Sequence, residues 1–352
     1  MVEWVYDGLE SRVIFGPNSA TIAHDELTAL SATRVMAIGS GSALRRSRAL
    51  LDSLEDLLVG AFDRVLPHCP IETVEAAEEA FCSLKADAVL TIGGGSAIGV
   101  AKNIRMRTGA ISVVIPTTYS GAELTPIYGA KSTGEKRTGR DPKAKPQVAI
   151  YDPLLTLSLP HAETVSTGMN GLAHCVEAFY PKTAHPFVSA LAIAGIEAFF
   201  DGLPRSVAAP EDISGRSRAL EGGFYGGLLV QQVGIGLHHK ICHILGGRHD
   251  IPHGVSNSVV LPHVAHFNRQ AILKAAPQLV ERFDGWPGKA IQSLAQRIGA
   301  PSDLRSLGLS REWLPALAEE TVAGSVYNPR PYDIAEILEI LEAAWEGRAV
   351  EG

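Results

Sequence analysis

Short apolar runs at residues 35–38, 88–92 and 112–115 constrain the fold more than any other feature, each closing in a glycine or proline turn with helix-compatible stretches between them. A strand whose side chains are apolar on both faces must be covered on both faces. Alternation with helices, forming a parallel sheet, meets that need. Residues 148–151 read as one more such strand. The first half is therefore expected to be an α/β domain with a parallel sheet, spanning residues 1–154.

After Asp152 and Pro153 the texture changes. Long Ala/Leu-rich segments at 188–200, 216–233, 270–279 and 334–345 have helical length and few β-branched clusters, which predicts an all-helical domain over residues 155–352. The boundary falls near residues 152–160. The Lys/Gly-rich stretch 131–145 reads as an exposed loop or hairpin.

A chain of 352 residues has room for two cores, and 46% hydrophobic content excludes disorder as its main state. The net charge of −7 and a pI near 6.0 leave no electrostatic footprint for nucleic acid or an anionic membrane. No apolar run approaches the roughly eighteen residues a bilayer requires, and the start of the chain lacks a signal-peptide pattern. Cys69, Cys82, Cys175 and Cys242 show no CxxC spacing, against a zinc knuckle or a disulfide framework. A cytoplasmic setting is expected.

Two turns carry ligand chemistry. Gly93, Gly94, Gly95 and Ser96 follow the strand at 88–92 and precede a helical stretch. Glycines let a backbone approach a pyrophosphate closely, and the amides of a helix N-terminus favour its charge. The turn departs from the G-x-G-x-x-G fingerprint, and positive φ alone would also explain it. Thr117, Thr118 and Ser120, after the strand at 112–115, can donate to phosphate, ribose or nicotinamide, or can serve as helix caps. Such ligands bind at the carboxyl ends of parallel strands. Ser40, at the end of an earlier strand, stands where an acid would hold an adenosine ribose, with Arg45 and Arg46 close behind, so NADH and NADPH both stay open.

Five of the twelve histidines crowd into residues 238–253. If 169–180 is helical, Asn170 and His174 share a face at i and i+4, and His239 and His243 do so on a second helix that Gly246 and Gly247 should end. His253 returns after Pro252 on the following loop, so side chains from two helices and a loop can converge. His238 and His249 lie off the shared face and read as structural or peripheral.

These motifs resemble the iron-containing alcohol dehydrogenase superfamily, which includes glycerol dehydrogenase and is related to dehydroquinate synthase. The likeness runs from Arg12-Val13-Ile14-Phe15-Gly16 through GGGS, PTTYSGAE and the histidine segment to Asn328-Pro329-Arg330. It implies an Asp and three His on a divalent metal, matched here by Asn170, His174, His239 and His253, with His243 lining the cleft. Two departures stand out: Asn170 replaces the anionic ligand, and Gly99 replaces the acid of GGGSxxDxAK. Together with HHKICH and TTYSGAE they are similar to the maleylacetate reductase branch, held to need no metal. A neutral amide is a poor ligand for a divalent ion, although three histidines can hold zinc in open sites.

The branch implies NADH- or NADPH-dependent reduction of a small dicarboxylate enone, with no required metal. His243 and His253 are expected to stabilise the enolate and donate a proton, with His174 and His239 shaping the same cationic pocket. Lys240, Tyr119, Arg248 and Arg330 are candidates for the substrate carboxylates, each equally readable as a surface salt bridge. Lys136 falls where the family has a lysine near the nucleotide. The resemblance also implies a homodimer with N-terminal strands, here residues 4–15, joining the partner's sheet. The competing readings are a metal-dependent alcohol or polyol dehydrogenase of the same fold, a cyclase related to dehydroquinate synthase, and a silent nucleotide-binding protein.

Overall fold

The structure, a computed structural model, describes residues 11–132, 135–249, 251–324 and 326–352, with only the backbone for 132 and 135–137. The described residues form two compact units: 11–159 together with 211–220, and 160–210 with 221–352.

The first unit holds a six-stranded, wholly parallel sheet built from β1 (Arg12–Phe15), β2 (Val35–Ile38), β3 (Leu58–Phe62), β4 (Ala88–Gly93), β5 (Ile111–Pro116) and β8 (Val148–Tyr151), in the order β1-β8-β5-β4-β2-β3. β2, β4 and β8 are buried at every residue, as strands apolar on both faces require. Helices α1 (Ala23–Ala29), α2 (Gly41–Arg46), α3 (Arg48–Asp52), α4 (Ile71–Ser83) and α5 (Gly95–Thr108) connect them. Two apolar clusters result, one including Leu27, Leu90 and Ile115 and the other including Met36, Val89 and Ile104. The expected hairpin exists as β6 (Ile127–Ser132) and β7 (Glu135–Arg140), paired antiparallel. The part of the proposed N-terminal strand at residues 4–10 lies outside the described residues.

Lys102 ties together the two turns expected to bind the nucleotide. Its ammonium leaves α5 and donates to the carbonyls of Ala122, Thr125 and Ile127 at 2.6–2.9 Å and to Thr125 Oγ1 at 3.0 Å, so a helix that starts at one glycine turn grips the chain leaving the other. Burial pulls this amine down to about 7.

The second unit is helical: α6 (His161–Glu177), α7 (Pro186–Ala208), most of α8 (Ile213–Val233), α9 (Leu237–His249), α10 (His253–Phe267), α11 (Arg269–Ala275), α12 (Leu279–Arg282), α13 (Pro287–Arg297), α14 (Leu314–Ala323) and α15 (Ile334–Glu346). The stretch expected as one helix at 270–279 is two, because Pro277 lacks the N–H that would continue the ladder. α7 corrects the expectation that no apolar run reaches bilayer length: it has 23 residues, and an 18-residue window has mean hydropathy 1.5. Its Leu203 lies directly against Gly168 of α6, so part of that apolar surface is core.

α9 runs through Gly246 and Gly247 rather than ending there. Neither glycine takes the left-handed conformation that a glycine stop uses. Consequently His253 is the first residue of α10, after Pro252, and not part of a loop.

The start of α10 lies close to α6 because Gly254 has no side chain. A Cβ there would stand 2.7 Å from Ser166 Cβ and 2.9 Å from the Ser166 carbonyl oxygen. Gly254→Ala should therefore push α10 off α6 and cost about 1–3 kcal/mol in urea unfolding; a change within about 0.5 kcal/mol would contradict this packing.

Candidate active site

Helical spacing alone brings the key side chains of the helical unit to one place. Asn170, His174 and Glu177 recur at i, i+4 and i+7 on α6, His239 and His243 at i and i+4 on α9, and His253 and Asn257 at i and i+4 on α10. His174 and His239 stack with ring centroids 4.3 Å apart and planes 5° from parallel. His253 lies 5.9 Å from His239 and 5.1 Å from His243, centroid to centroid, and His239 and His243 are 6.3 Å apart. The five positions expected to converge do so.

Two residues of this cluster escape motif reading. Glu177, wholly buried at the end of α6, accepts N–H bonds from Gly236 at 3.0 Å, His238 at 2.7 Å and His239 at 3.4 Å, and its Oε2 is 2.5 Å from His239 Nδ1. Asn257, also fully buried, donates from Nδ2 to Asn170 Oδ1 at 2.8 Å. Asn170 Nδ2 in turn faces His174 Nε2 at 3.3 Å. The signal for both was the same i,i+4 and i,i+7 spacing that picked out the histidines.

The expected cationic pocket is corrected by burial. An imidazolium away from water loses its hydration, and neighbouring rings repel a second charge. Desolvation pulls His238 and His239 down to about 3. It holds His174 and His253 well below the usual histidine range, with further lowering by the surrounding histidines. These rings are neutral near pH 7. His243 differs in being exposed to solvent.

The carboxylate-binding expectations fare differently. Lys240 is one residue, hence about 100°, round α9 from His239, and its ammonium packs onto Gly324 at the end of α14. Arg248 pairs with Glu320 of α14 at 3.1 Å. Arg330 pairs with Glu336 at 2.9 Å and lies 4.0 Å over the ring of Phe267, which is the last residue of α10 and so about 20 Å along that helix from His253. Arg248 and Arg330 are thus engaged in ion pairs. Tyr119 is fully buried in the α/β unit and accepts a hydrogen bond from Arg216 at 3.0 Å. His238 is packed inside, its Nε2 3.3 Å from the Asn257 carbonyl, and His249 stands against Trp313.

In the α/β unit the two turns meet: Thr117 N donates to the Gly93 carbonyl at 3.1 Å, and a Cβ on Gly94 would lie 2.6 Å from Thr118 Cγ2. Thr118 Oγ1 and Ser120 Oγ are buried without a hydrogen-bond partner, next to Gly94, Gly95 and Ser96 at the start of α5. Orphaned hydroxyls beside a helix N-terminus fit the phosphate or ribose of a dinucleotide. Ser40 is engaged as the cap of α2, accepting from Ala43 N at 3.2 Å. Lys136 belongs to β7, and its side chain lies outside the described residues. Gly99 faces Cys69, whose Sγ would be 3.3 Å from an added Cβ, leaving little room for the family's acid.

An iron ion does not fit the four family positions as they stand. The place of the anionic ligand holds an amide whose oxygen is taken by Asn257 and whose nitrogen, a donor, faces His174.

Neutral burial has a measurable consequence. An unfolded histidine takes up its proton near pH 6.5, whereas folded His238 and His239 do so only near 3, so over that window the unfolded state binds more protons. Stability should be full above pH 6.5 and fall as the pH drops towards 3, by up to about 3 kcal/mol per pH unit for the two rings. Glu177, raised mainly by its burial, opposes this in the carboxylate range. Thermal unfolding from pH 7.5 to 4.5 checks the sign; a midpoint that rises on acidification would contradict it.

Both halves of the chain match family models: residues 10–153 that of iron-containing alcohol dehydrogenase, and residues 164–345 that of the C-terminal part of the Fe-containing alcohol dehydrogenase family. Maleylacetate reductase 1 of Cupriavidus pinatubonensis is 37% identical over 352 residues, covering 99% of each chain. Maleylacetate reductase of a Rhizobium species is 36% identical over 351 residues, covering 100% of each. The crystal structure of maleylacetate reductase from Agrobacterium tumefaciens superposes with a TM-score of 0.95 at 36% identity, covering 99% of this chain and 100% of that one. The chain belongs to the iron-containing alcohol dehydrogenase family.

Proposed function

We propose that this oxidoreductase reduces the carbon–carbon double bond of maleylacetate to 3-oxoadipate with NADH or NADPH, as a cytoplasmic homodimer that requires no metal. The observation that carries the reading is the amide of Asn170, held by Asn257 in the position of an acidic metal ligand. Full-length similarity to proteins named maleylacetate reductase supports the substrate. The orphaned hydroxyls of Thr118 and Ser120 support the cofactor.

The substrate joins a double bond to a ketone, with a carboxylate at each end. When bound, a nicotinamide nucleotide would supply the hydride taken up by the carbon β to the ketone. Electrons then move onto the ketone oxygen as an enolate, and the carbon α to the ketone takes a proton, so one hydride and one proton are consumed per product. Asn170 Nδ2 carries two protons, one facing His174 Nε2, and we assign the other to the enolate oxygen. Such a donor suits a developing anion, as it disfavours a cation. His243 is the ring assigned to the proton, because it is exposed and can be recharged from solvent while its neighbours are held neutral. His253, 5.1 Å away, flanks it.

Reduction with a nicotinamide nucleotide deuterated at the transferred position tests this. Mass spectrometry and proton NMR should place one deuterium on the 3-oxoadipate carbon β to the ketone. Deuterium on a newly formed carbinol carbon would instead mark a simple carbonyl reductase.

A further inference from the structure

Among the described residues Glu177 is the carboxylate buried against the histidine cluster, and the reaction outlined above gives it no task. It ends α6, the helix of Asn170 and His174, and its oxygens receive the free N–H groups of Gly236, His238 and His239 where α9 begins. It thus closes the N-terminus of the helix that carries His239 and His243, supplying the acceptors and negative charge that a helix start favours. Gly236 makes the approach possible: a Cβ there would lie 2.7 Å from Glu177 Oε1.

Glu177, His238 and His239 also place three ligand atoms within 4.8 Å of one another. A metal reading fails on distance. Glu177 Oε2 and His239 Nδ1 are 2.5 Å apart, whereas two ligands at ~2.1 Å on a tetrahedral ion keep about 3.4 Å between them. The contact is a hydrogen bond, and Oε2 already accepts from Gly236 and His239 N–H groups, so the ring is the donor. The other ring nitrogen, His239 Nε2, is buried and has no partner.

We propose that Glu177 is a positioning residue that fixes His239 with its proton on Nδ1, leaving Nε2 as a bare acceptor and removing His239 from the set of proton donors. The inference rests on the reading of the histidine cluster as the reductase site and narrows the proton donor within it. Stacking on His174 restrains the ring plane, and the carboxylate fixes which edge carries hydrogen.

The decisive experiment is a long-range proton–nitrogen correlation spectrum of the full-length wild-type enzyme labelled with ¹⁵N-histidine, without substrate, with the His239 signals assigned from a His239→Gln sample. A pyrrole-type Nδ1 and a pyridine-type Nε2 are expected; the reverse pattern, in which a protonated Glu177 donates to Nδ1, would overturn the inference. Glu177→Gln supplies the second arm. Its amide must turn a donor either to the α9 backbone or to His239, so kcat for maleylacetate should fall about 10- to 100-fold with nucleotide affinity unchanged, and the His239 signals should shift towards the other tautomer. Wild-type kcat in that variant overturns the proposal. If Glu177→Gln does not fold, the wild-type spectrum decides alone. An enzyme that leaves maleylacetate untouched contradicts the proposed function, while the spectrum still decides this point.

Discussion

Burying several imidazoles side by side without a matching set of charges is the constraint on which the helical unit depends. Each ring must stay neutral, and each ring nitrogen must be a donor or an acceptor by assignment rather than by titration. Glu177 and Asn257 make those assignments. Glu177 accepts the Nδ1–H hydrogen bond of His239, and Asn257 donates to the oxygen of Asn170, so that an amide nitrogen faces His174. Both do so while holding helices together, which couples the chemistry of the site to the packing of α6, α9 and α10.

The same pair of contacts explains how a chain of the iron-containing alcohol dehydrogenase family can present a site unlike a metal centre. An aspartate at 170 would bring a negative charge beside three imidazole lone pairs. An asparagine whose carbonyl is occupied by Asn257 brings a hydrogen-bond donor instead. A donor among neutral rings suits an oxygen on which negative charge develops during the reaction.

Much of this was legible in the sequence because its period is set by geometry. β2 and β8 were read at their true bounds because strands buried on both faces are apolar throughout. β3 was not, because Gly60 and an edge position leave it only half-buried and weakly patterned. The i,i+4 pairs of α6 and α9 converged as their spacing demands, but the end of α9 was misread: a double glycine stops a helix only if one of them turns left-handed, and packing decides that. Arg248 looked available because its partner Glu320, 72 residues on, is brought to it by the packing of α14 on α9. Protonation states were the least legible part, since the neutrality of His174, His239 and His253 arises from burial that no local pattern reveals.

On this reading Asn170 and His243 act on the substrate directly, without a metal ion. Oxidation of NADH and NADPH by maleylacetate, followed before and after exhaustive chelation with metal content determined on the same sample, tests it most directly. Turnover is expected to be unchanged at negligible metal content. Activity abolished by chelation and restored by zinc or iron would contradict it and make the histidines ligands.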